Sequence, residues 1–450
     1  MLRRLTGWLA LAVMLLALVV GAACGSDNKK DNGANTTATA SGGTTPSANT
    51  TPSTSGDIVT FADVLRKDPS VTKHAVVEWG WMFEKSGVLQ GFGDPAGDGV
   101  LMAVKEINDA GGFQVGDTIY TIKLIQHDTK SDVANTVAVA TELVQDDKVK
   151  VIWGPASSGD PEATEVTRRA GAIHICPCPR REVTSLKSIE AVQNDYPLAF
   201  QTIAAPSKFL PPGALNTKRD YPQFTSFGTM CANTETGKAF CDFFKNAYEA
   251  AGFDLVDQEF FPPETADFSP FLTKMKTKNP DIVLNFVDAG PEQFTLLRQS
   301  WQLDVGKFYI AVALPYDLFE ALVGGAGIRD KIVAAGATPR TEAQYTSEDA
   351  RIFFEDKYRP FKGGTLPPAA FAAMLTYDPA YMLVAAMQKA GTVDDPQAIA
   401  KALEQVHFDG LGEDNYFFDK RHIIVAGNDS CILYQGQMTC QHNAPPPEPN

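Results

Sequence analysis

From about residue 74 onward, hydrophobic positions alternate between the two-residue period of a strand and the three-to-four-residue period of a helix. In the segment "GDGVLMAVKEIND", Val100, Val104 and Ile107 share one helical face, and Gly111 follows as a helix stop. The first predicted elements are strands at 74–83, 118–128 and 149–153, and helices at 97–109, at 131–147 and from about Asp160. This alternation predicts a parallel sheet flanked by helices.

The same alternation recurs after about residue 200. The predicted elements there are strands at 224–230 and 281–290, and helices at 234–252, 268–279 and 291–303. Two successive α/β units of similar size predict two lobes, and small ligands usually bind in the cleft between such lobes. A chain of 450 residues is long enough for two domains with separate cores.

The N-terminus does not belong to this fold. Arg3 and Arg4 precede the apolar run "LALAVMLLALVVG", and the small-residue segment "GAAC" ends at Cys24. Residues 1–24 therefore predict a secretory signal peptide. Because the small-small-Cys ending resembles a bacterial lipobox, we expect Cys24 to carry a lipid. The alternative is an ordinary cleaved signal with a cysteine near its end.

The segment that follows is predicted to be a tether. Residues 25–56 contain Ser, Thr, Gly, Asn and Pro without an apolar run, so they cannot form a core. A coil of this length reaches about 30 Å. We therefore expect a domain outside the cytoplasm, held to the cell membrane by the lipid on its periplasmic side or outer face. Residues 441–450 predict a Pro-rich tail.

Composition excludes one class of partner. The formal net charge of −15 at pH 7 argues against nucleic acid, which attracts basic proteins. No segment after the signal is apolar enough to span a membrane.

An exported chain usually pairs its cysteines as disulfides. Cys431 and Cys440 flank "ILYQGQMT", which predicts a hairpin with a turn at 435–436, so we expect this pair to be bonded. We also expect Cys231 to pair with Cys241.

The sequence does not decide the pairing of Cys176 and Cys178, which lie in the motif "HICPCP". Strand alternation would place His174 and both cysteines on one face, as in a metal cluster. The ligand set is short, however, and His174 falls in a predicted core strand. We therefore expect no metal and no other cofactor.

The loop "GPASSG" joins a predicted strand to a predicted helix. It brings Ser157, Ser158 and Gly159 to the helix N-terminus, where free N–H groups and the helix dipole favour a carboxylate or phosphate. The alternative is an N-cap that serves its own helix only. The loop does not match the Gly-x-Ser-x-Gly pattern of a nucleophile elbow, and a serine hydrolase would also need a base that no histidine motif supplies.

Several phrases together resemble one family, the leucine/isoleucine/valine-binding proteins, which are extracytoplasmic solute-binding proteins of ABC importers. The phrases are "GFGDPAGDGVLMAVKEINDAGG", "IKLIQHDTKSDVANTVAVATELVQDDKVKVIWGPASSG", "RAGAIHICPCP", "DFSPFLTKMKTKNPDIVLNF", "GPEQFTLLRQ" and "TYDPAYMLVAAMQKAGTVDDPQAIAKAL". They occur in family order from about Val71 to Tyr434.

The resemblance implies the type I periplasmic-binding fold, an α/β fold of two Rossmann-like lobes with parallel central sheets and a hinge of three crossovers. By similarity, residues 71–200 and 336–424 form lobe 1, and residues 201–335 and 425–440 form lobe 2. In this family the ligand closes the cleft because it binds the closed state better than the open one. The closed form is then recognised by membrane permease subunits.

The resemblance also implies roles for individual residues. Ser158 matches the family serine that binds the α-carboxylate of the substrate, with Ser157 beside it. Phe92 falls where the family places an aromatic side chain against the ligand. Cys178 lies where a backbone carbonyl usually contacts the α-ammonium group.

At other positions the sequence departs from the family pattern. Arg180 replaces a usual Thr or Ser, and Thr234 lies near a usual tyrosine. A guanidinium at this position would repel an ammonium group and favour a second anionic group on the ligand. The alternative for Arg180 is an outward-facing ion pair. Asp288 and Asp317 are candidate partners of the ammonium group. Trp81 and Tyr377 are candidate cleft residues.

The sequence therefore predicts a non-enzymatic, monomeric receptor for a small carboxylate- or amide-bearing solute, such as an amino acid, which it delivers to an ABC permease. The alternative with the same fold is a ligand-sensing lipoprotein that signals to a membrane receptor.

Overall fold

The computed structural model describes residues 58–87, 89–156, 159–178, 189–263, 265–287, 290–306, 308–312, 332–338, 345–367, 369–434 and 437–443. All of them belong to one compact unit, Ser55–Asn450. The predicted signal peptide, the lipidation site Cys24 and the tether lie outside the described residues.

The strands fall into two main sheets. The strands are β1 Val59–Thr60, β2 Lys73–Phe83, β3 Phe113–Val115, β4 Thr118–Asp128, β5 Val151–Trp153, β6 Ile173–Cys176, β7 Ala199–Gln201, β8 Ser226–Ala232, β9 Asp254–Phe261, β10 Ile282–Phe286, β11 Phe308–Val312, β12 Ile332–Thr338, β13 Phe408–Asp409, β14 Phe417–Phe418, β15 Ile424–Val425, β16 Asn428–Tyr434 and β17 Gln437–Asn443. The first sheet has the order β3-β4-β2-β5-β6-β7, and the second has the order β17-β16-β12-β11-β10-β8-β9.

Both sheets are predominantly parallel. In the first sheet only β3 pairs antiparallel, with β4. In the second, β8 to β12 are parallel, and the hairpin of β16 and β17 adds two antiparallel strands at one edge. Strands that are buried on both faces read as continuous apolar runs, as the segment Val151–Trp153 does. The predicted α/β fold class is confirmed.

The helices connect these strands. They are Phe61–Leu65, Gln90–Asp109, Val133–Gln145, Asp160–Ala170, Ile189–Asp195, Pro206–Asp220, Glu235–Ala250, Ser269–Lys278, Gly290–Gln302, Glu348–Arg351, Arg359–Phe361, Phe371–Ala390 and Pro396–Leu403, with a π-helical stretch at Ile352–Tyr358. The helix predicted from Asp160 begins there. The helix predicted at 131–147 is Val133–Gln145, and Asp132 caps it by accepting a hydrogen bond from the Asn135 N–H at 2.7 Å.

The order of the described strands shows three passages between the two sheets. The chain leaves the first sheet after β7, leaves the second after β12, and returns to the second between β15 and β16. Strand β12 extends to Thr338, slightly beyond the lobe boundary expected at 335–336. Strand β17 extends to Asn443, so residues 441–443 belong to the sheet rather than to the predicted tail. This connectivity makes each lobe from separate segments of the chain.

The structure confirms one predicted disulfide and is consistent with the other. Cys231 and Cys241 are joined, and so are Cys176 and Cys178, which the sequence left open. Cys440 is disulfide-bonded, and strand pairing places it directly opposite Cys431 in the predicted hairpin. The turn at 435–436 lies outside the described residues.

In the first lobe, two helices that are far apart in sequence pack against each other. They are Gln90–Asp109 and Phe371–Ala390. A Cβ atom on Gly99 would overlap the carbonyl oxygen of Ala373 and the Thr376 hydroxyl. The Thr376 hydroxyl donates to the Ala96 carbonyl at 2.6 Å. Glycines in "QGFGDPAGDG" lower the helix propensity, so the pattern predicted a start near residue 97 instead of Gln90. Packing against the second helix stabilises the longer form.

Gly99→Ala should destabilise the fold by about 1–3 kcal/mol, because the added methyl group has no space between the two helices. The matched control is Gly91→Ala on the same helix, where a Cβ would meet nothing within 4 Å. That substitution should be neutral or slightly stabilising. Urea unfolding of both variants measures the difference. Equal stability of the two variants would contradict the packing described above.

A charged cluster holds the segments that cross between the sheets. The His442 ring on β17 lies 2.9 Å from Asp429 Oδ1 through Nδ1 and 3.4 Å from Glu413 Oε2 through Nε2. Asp429 also accepts a hydrogen bond from the Thr346 hydroxyl, and Glu413 accepts one from the Gly427 N–H. The hydrogen bond to Asp429 and then that to Glu413 raise the pKa of His442 to about 9.

Stability should therefore fall at alkaline pH. The folded-state pKa of His442 lies above the ordinary value of 6.5, so its contribution is fully present below about pH 6.5 and is lost as the pH rises through about 9. The loss should be at most on the order of 3 kcal/mol. Denaturant unfolding between pH 6 and 10 measures it. His442→Gln should flatten this pH dependence, and an unchanged slope in that variant would assign the effect to other groups.

Candidate functional site

The carboxyl ends of three neighbouring parallel strands meet at one edge of the first sheet. Trp81 pairs with Trp153, and Trp153 pairs with Ile175, so β2, β5 and β6 end side by side. Glu84, the loop from Gly154 and the segment containing Cys178 follow these ends. Ligands of open α/β sheets bind outside the carboxyl ends of the strands, so this edge is the candidate site.

Glu84 supports the loop that leads to the serines. Its side chain is fully buried, and its Oε2 accepts a hydrogen bond from the Ala156 N–H at 3.0 Å. Gly93 leaves space for this carboxylate, since a Cβ there would lie 2.6 Å from Oε2. The sequence reasoning missed Glu84. The available signal was an acidic residue at the end of a buried strand, in "WGWMFEK".

The helix after this loop begins at a glycine. Gly159 is the N-cap residue, with φ of +77°, and no side chain caps the helix from this position. A Cβ at Gly159 would lie 3.0 Å from Thr136 Cβ, so the position has neither the space nor the backbone conformation for a larger residue. The N-cap residue is therefore not one of the two serines. Ser157 and Ser158 lie outside the described residues, between Ala156 and Gly159.

Beneath the loop, a buried network joins the strand ends to the helix start. The His174 ring contacts the Gly154 carbonyl at 2.6 Å through Nε2 and the Thr164 hydroxyl at 2.9 Å through Nδ1. The Thr164 hydroxyl also lies 3.3 Å from Asp160 Oδ1, and Cys176 Sγ lies 3.1 Å from the same oxygen. The structure thus corrects the grouping of His174 with the cysteines. Both ring nitrogens have other partners, and Asp160 is the neighbour of Cys176.

Two predicted cleft residues lie deep in the first lobe. Trp81 is fully buried, and its indole N–H donates to the Gly97 carbonyl at 2.9 Å. Tyr377 is also fully buried, and its hydroxyl donates to Glu106 Oε2 at 2.6 Å. Burial raises the pKa of Tyr377 well above its usual range. Both side chains therefore pack in the core of the first lobe.

The remaining predicted residues divide into described and undescribed ones. Phe92 is half-buried near the start of its helix, with its ring 6.0 Å from that of Phe371. Cys178 is buried and bonded to Cys176. In the second lobe, Thr234 follows β8 and caps the next helix, accepting a hydrogen bond from the Gly237 N–H at 2.9 Å. The candidates outside the described residues are Arg180, Asp288 and Asp317, in addition to the two serines.

The family model of the periplasmic binding proteins matches residues 76–429, so the chain belongs to this family. This confirms the resemblance to the leucine/isoleucine/valine-binding proteins and identifies the chain as a solute-binding protein. The leucine-, isoleucine-, valine-, threonine- and alanine-binding protein of Pseudomonas aeruginosa is 24% identical over 329 residues, which are 72% of this chain and 81% of that protein.

Solved structures share the fold. The branched-chain amino acid transporter substrate binding protein LivJ from Streptococcus pneumoniae, in complex with isoleucine, has a TM-score of 0.67 and 22% identity, covering 82% of this chain and 100% of that one. An ABC transporter solute binding protein from R. palustris, in complex with benzoate, has a TM-score of 0.63 and 16% identity, covering 82% of this chain and 97% of that one. The type I periplasmic-binding fold is thereby confirmed. Among the described helices, none has the length and apolarity needed to cross a membrane.

Glu84→Leu should lower the free energy of unfolding by about 1–3 kcal/mol, because it leaves the buried Ala156 N–H without its acceptor. Glu84→Gln keeps an acceptor oxygen of the same shape and should cost less. Urea unfolding measures the stability, and amide hydrogen exchange at Ala156 reports on the loop itself. If exchange at Ala156 is the same in Glu84→Leu as in the unchanged protein, Glu84 does not support this loop.

Proposed function

We propose that this protein is an extracytoplasmic receptor that captures a small carboxylate-bearing or amide-bearing solute by cleft closure and delivers it to an ABC-type permease. The observation that carries the proposal is the supported loop at the sheet edge. Glu84 and His174 fix the backbone at Ala156 and Gly154 from two different strands, and the helix starts directly after the serines. Membership of the periplasmic binding protein family supports the same role.

A carboxylate is the proposed recognition group because it is common to the ligands of the similar structures. Isoleucine and benzoate differ in size, shape and the presence of an ammonium group, but both carry a carboxylate. In this chain, Ser158 is proposed to donate to that carboxylate, with Ser157 beside it at the helix N-terminus. Phe92 is proposed to contact the ligand side chain, and the Cys178 carbonyl and Thr234 to line the cleft.

Arg180 would set the ligand class. A guanidinium in the cleft favours a ligand with a second anionic or amide oxygen over a simple α-ammonium amino acid. Asp288 and Asp317 are the proposed partners if the ligand does carry an ammonium group. Trp81 and Tyr377 would support the cleft from the core, consistent with their burial.

We also propose where the protein acts and how it binds its ligand. Cys24 would carry a lipid that holds the protein at the cell membrane, with residues 25–56 as the tether and the protein acting as a monomer. The function is binding without a catalytic step or cofactor. Moving an open-to-closed ratio from 1:99 to 99:1 takes about 5.5 kcal/mol of differential affinity, which a few charged hydrogen bonds and an aromatic contact could supply.

Thermal unfolding of the mature chain against a panel of amino acids, dicarboxylates, aromatic acids, amides and sugars tests the proposal. A ligand at 100 times its dissociation constant adds about 2.7 kcal/mol of stability, which raises the melting temperature measurably. Ser158→Ala should abolish the shift, whereas Arg180→Gln should change which ligands produce it.

The controls separate binding from folding. Without ligand, both variants should unfold at the same temperature as the unchanged protein. A sugar as the sole ligand, or a carboxylate shift unchanged by Ser158→Ala, would contradict the proposed site. If the whole panel has no effect, solute import is wrong, and the sensing role with a protein partner becomes the hypothesis to pursue.

A further inference from the structure

The sulfur atoms of the "HICPCP" motif have no role in the proposed solute site, which uses only the His174 ring and the Cys178 carbonyl of this motif. Cys176 ends strand β6, Cys178 follows two residues later, and both are fully buried; Asp160, only 3% exposed, lies beside Cys176 at the start of the helix that precedes this strand. The two sulfur atoms and a carboxylate oxygen of Asp160 all lie within 4.8 Å of one another. In the described part of the chain, no second group of three His, Cys, Asp or Glu side chains has this spacing.

We propose that Asp160, Cys176 and Cys178 form a binding site for a thiophilic divalent cation of the Zn²⁺ type, available only when the Cys176–Cys178 disulfide is reduced. The disulfide form is the one in the structure, and it closes the site. The dithiol form opens it.

The spacing of Cys176 and Asp160 fits tetrahedral zinc, and reduction frees the two bonded sulfur atoms to separate to the distance between two zinc ligands. With Zn–S bonds of about 2.3 Å and Zn–O bonds of about 2.0 Å, neighbouring ligand atoms lie about 3.5 Å apart. Cys176 Sγ and Asp160 Oδ1 are already 3.1 Å apart, so both atoms reach a common ion with small movements. Three protein ligands leave a fourth position for water, as in zinc sites that keep an open position.

The chemistry of Asp160 and the two sulfur atoms also favours a bound cation in the reduced form. A disulfide sulfur has no proton to donate, so the carboxylate of Asp160 gains no hydrogen bond from Cys176 in the oxidised form. A thiol would donate to this oxygen, and a cation would bind both atoms at once. Two buried thiolates beside a buried carboxylate would repel one another, and a divalent cation neutralises most of that charge.

A further contact orients the carboxylate. The Thr164 hydroxyl lies 3.3 Å from Asp160 Oδ1 and 2.9 Å from His174 Nδ1. Ligating carboxylates are commonly oriented by such outer hydrogen bonds, which affect metal affinity about 10–100-fold. The site therefore has both the ligands and the support that a metal centre requires.

Zinc binding requires two steps, reduction of the disulfide and then coordination of the metal. A dithiol or phosphine reductant supplies two electrons, and with two protons the sulfur–sulfur bond becomes two thiols while the reductant is oxidised. Zinc then forms two Zn–S bonds and releases the two thiol protons to solvent.

The experiment compares Zn²⁺ binding by the full mature chain before and after reduction with a phosphine. Free-thiol titration verifies that the disulfide is open, and circular dichroism verifies that the fold is intact. The reduced protein should bind one equivalent of zinc, with an X-ray absorption spectrum showing two sulfur ligands, and the oxidised protein should bind none at this position. Co²⁺ should give a thiolate-to-metal charge-transfer band in the reduced form only.

Variants locate the site. Cys176→Ser combined with Cys178→Ser should abolish binding, and Asp160→Asn should weaken it. Thr164→Val should weaken it about tenfold. The matched control replaces a bonded pair elsewhere in the chain, Cys231→Ala with Cys241→Ala, and should still bind one equivalent at Asp160 and the two cysteines. The proposal is wrong if the reduced chain binds no zinc, if the double serine variant binds as well as the unchanged chain, or if the disulfide resists reduction in the folded protein.

Discussion

The first lobe depends on the contact between two helices whose contacting residues are 280 positions apart in the chain. Helix Gln90–Asp109 and helix Phe371–Ala390 lie so close together at Gly99 that only a glycine, which has no Cβ atom, fits at this position. Tyr358 OH, at the end of the π-helical stretch Ile352–Tyr358, donates to Asp98 at 2.8 Å and adds a polar contact to the first of these helices. Because β2 leads into the first of these helices, this packing also positions Glu84 and Phe92 at the sheet edge.

Buried or half-buried ionisable side chains lie where the chain holds a defined geometry. Glu84 contacts the loop before the serines, Asp160 lies beside the cysteines, and His442 joins Glu413 and Asp429 where the chain crosses between the sheets. A buried charge that loses its partner is costly, so each of these groups restricts its segment to one arrangement. The contacts of Glu84 and Asp160 lie within the first lobe and restrict motion there, whereas the His442 cluster restricts the segments that cross between the sheets.

The loop at the sheet edge and the cysteine pair share one wall of the first lobe. His174 connects them, because its ring contacts both the Gly154 carbonyl and the Thr164 hydroxyl that lies next to Asp160. A continuous series of polar contacts therefore runs from the cysteines to the backbone before the serines. The proposed solute site and the proposed metal site are therefore neighbours, and Cys178 belongs to both, through its carbonyl in the first and its sulfur in the second.

The sequence by itself determined the α/β class, the two-lobed organisation, the helix start at Asp160 and the pairing of Cys231 with Cys241. Each of these follows from local periodicity, from the cysteine spacing or from the family phrases. Only the tertiary structure decided that Glu84 supports the loop, that Asp160 joins the cysteines, and that Trp81 and Tyr377 lie in the core. Periodicity tells which face of an element is apolar. Which polar groups meet depends on strand order and on packing between distant segments, and a local pattern does not encode these.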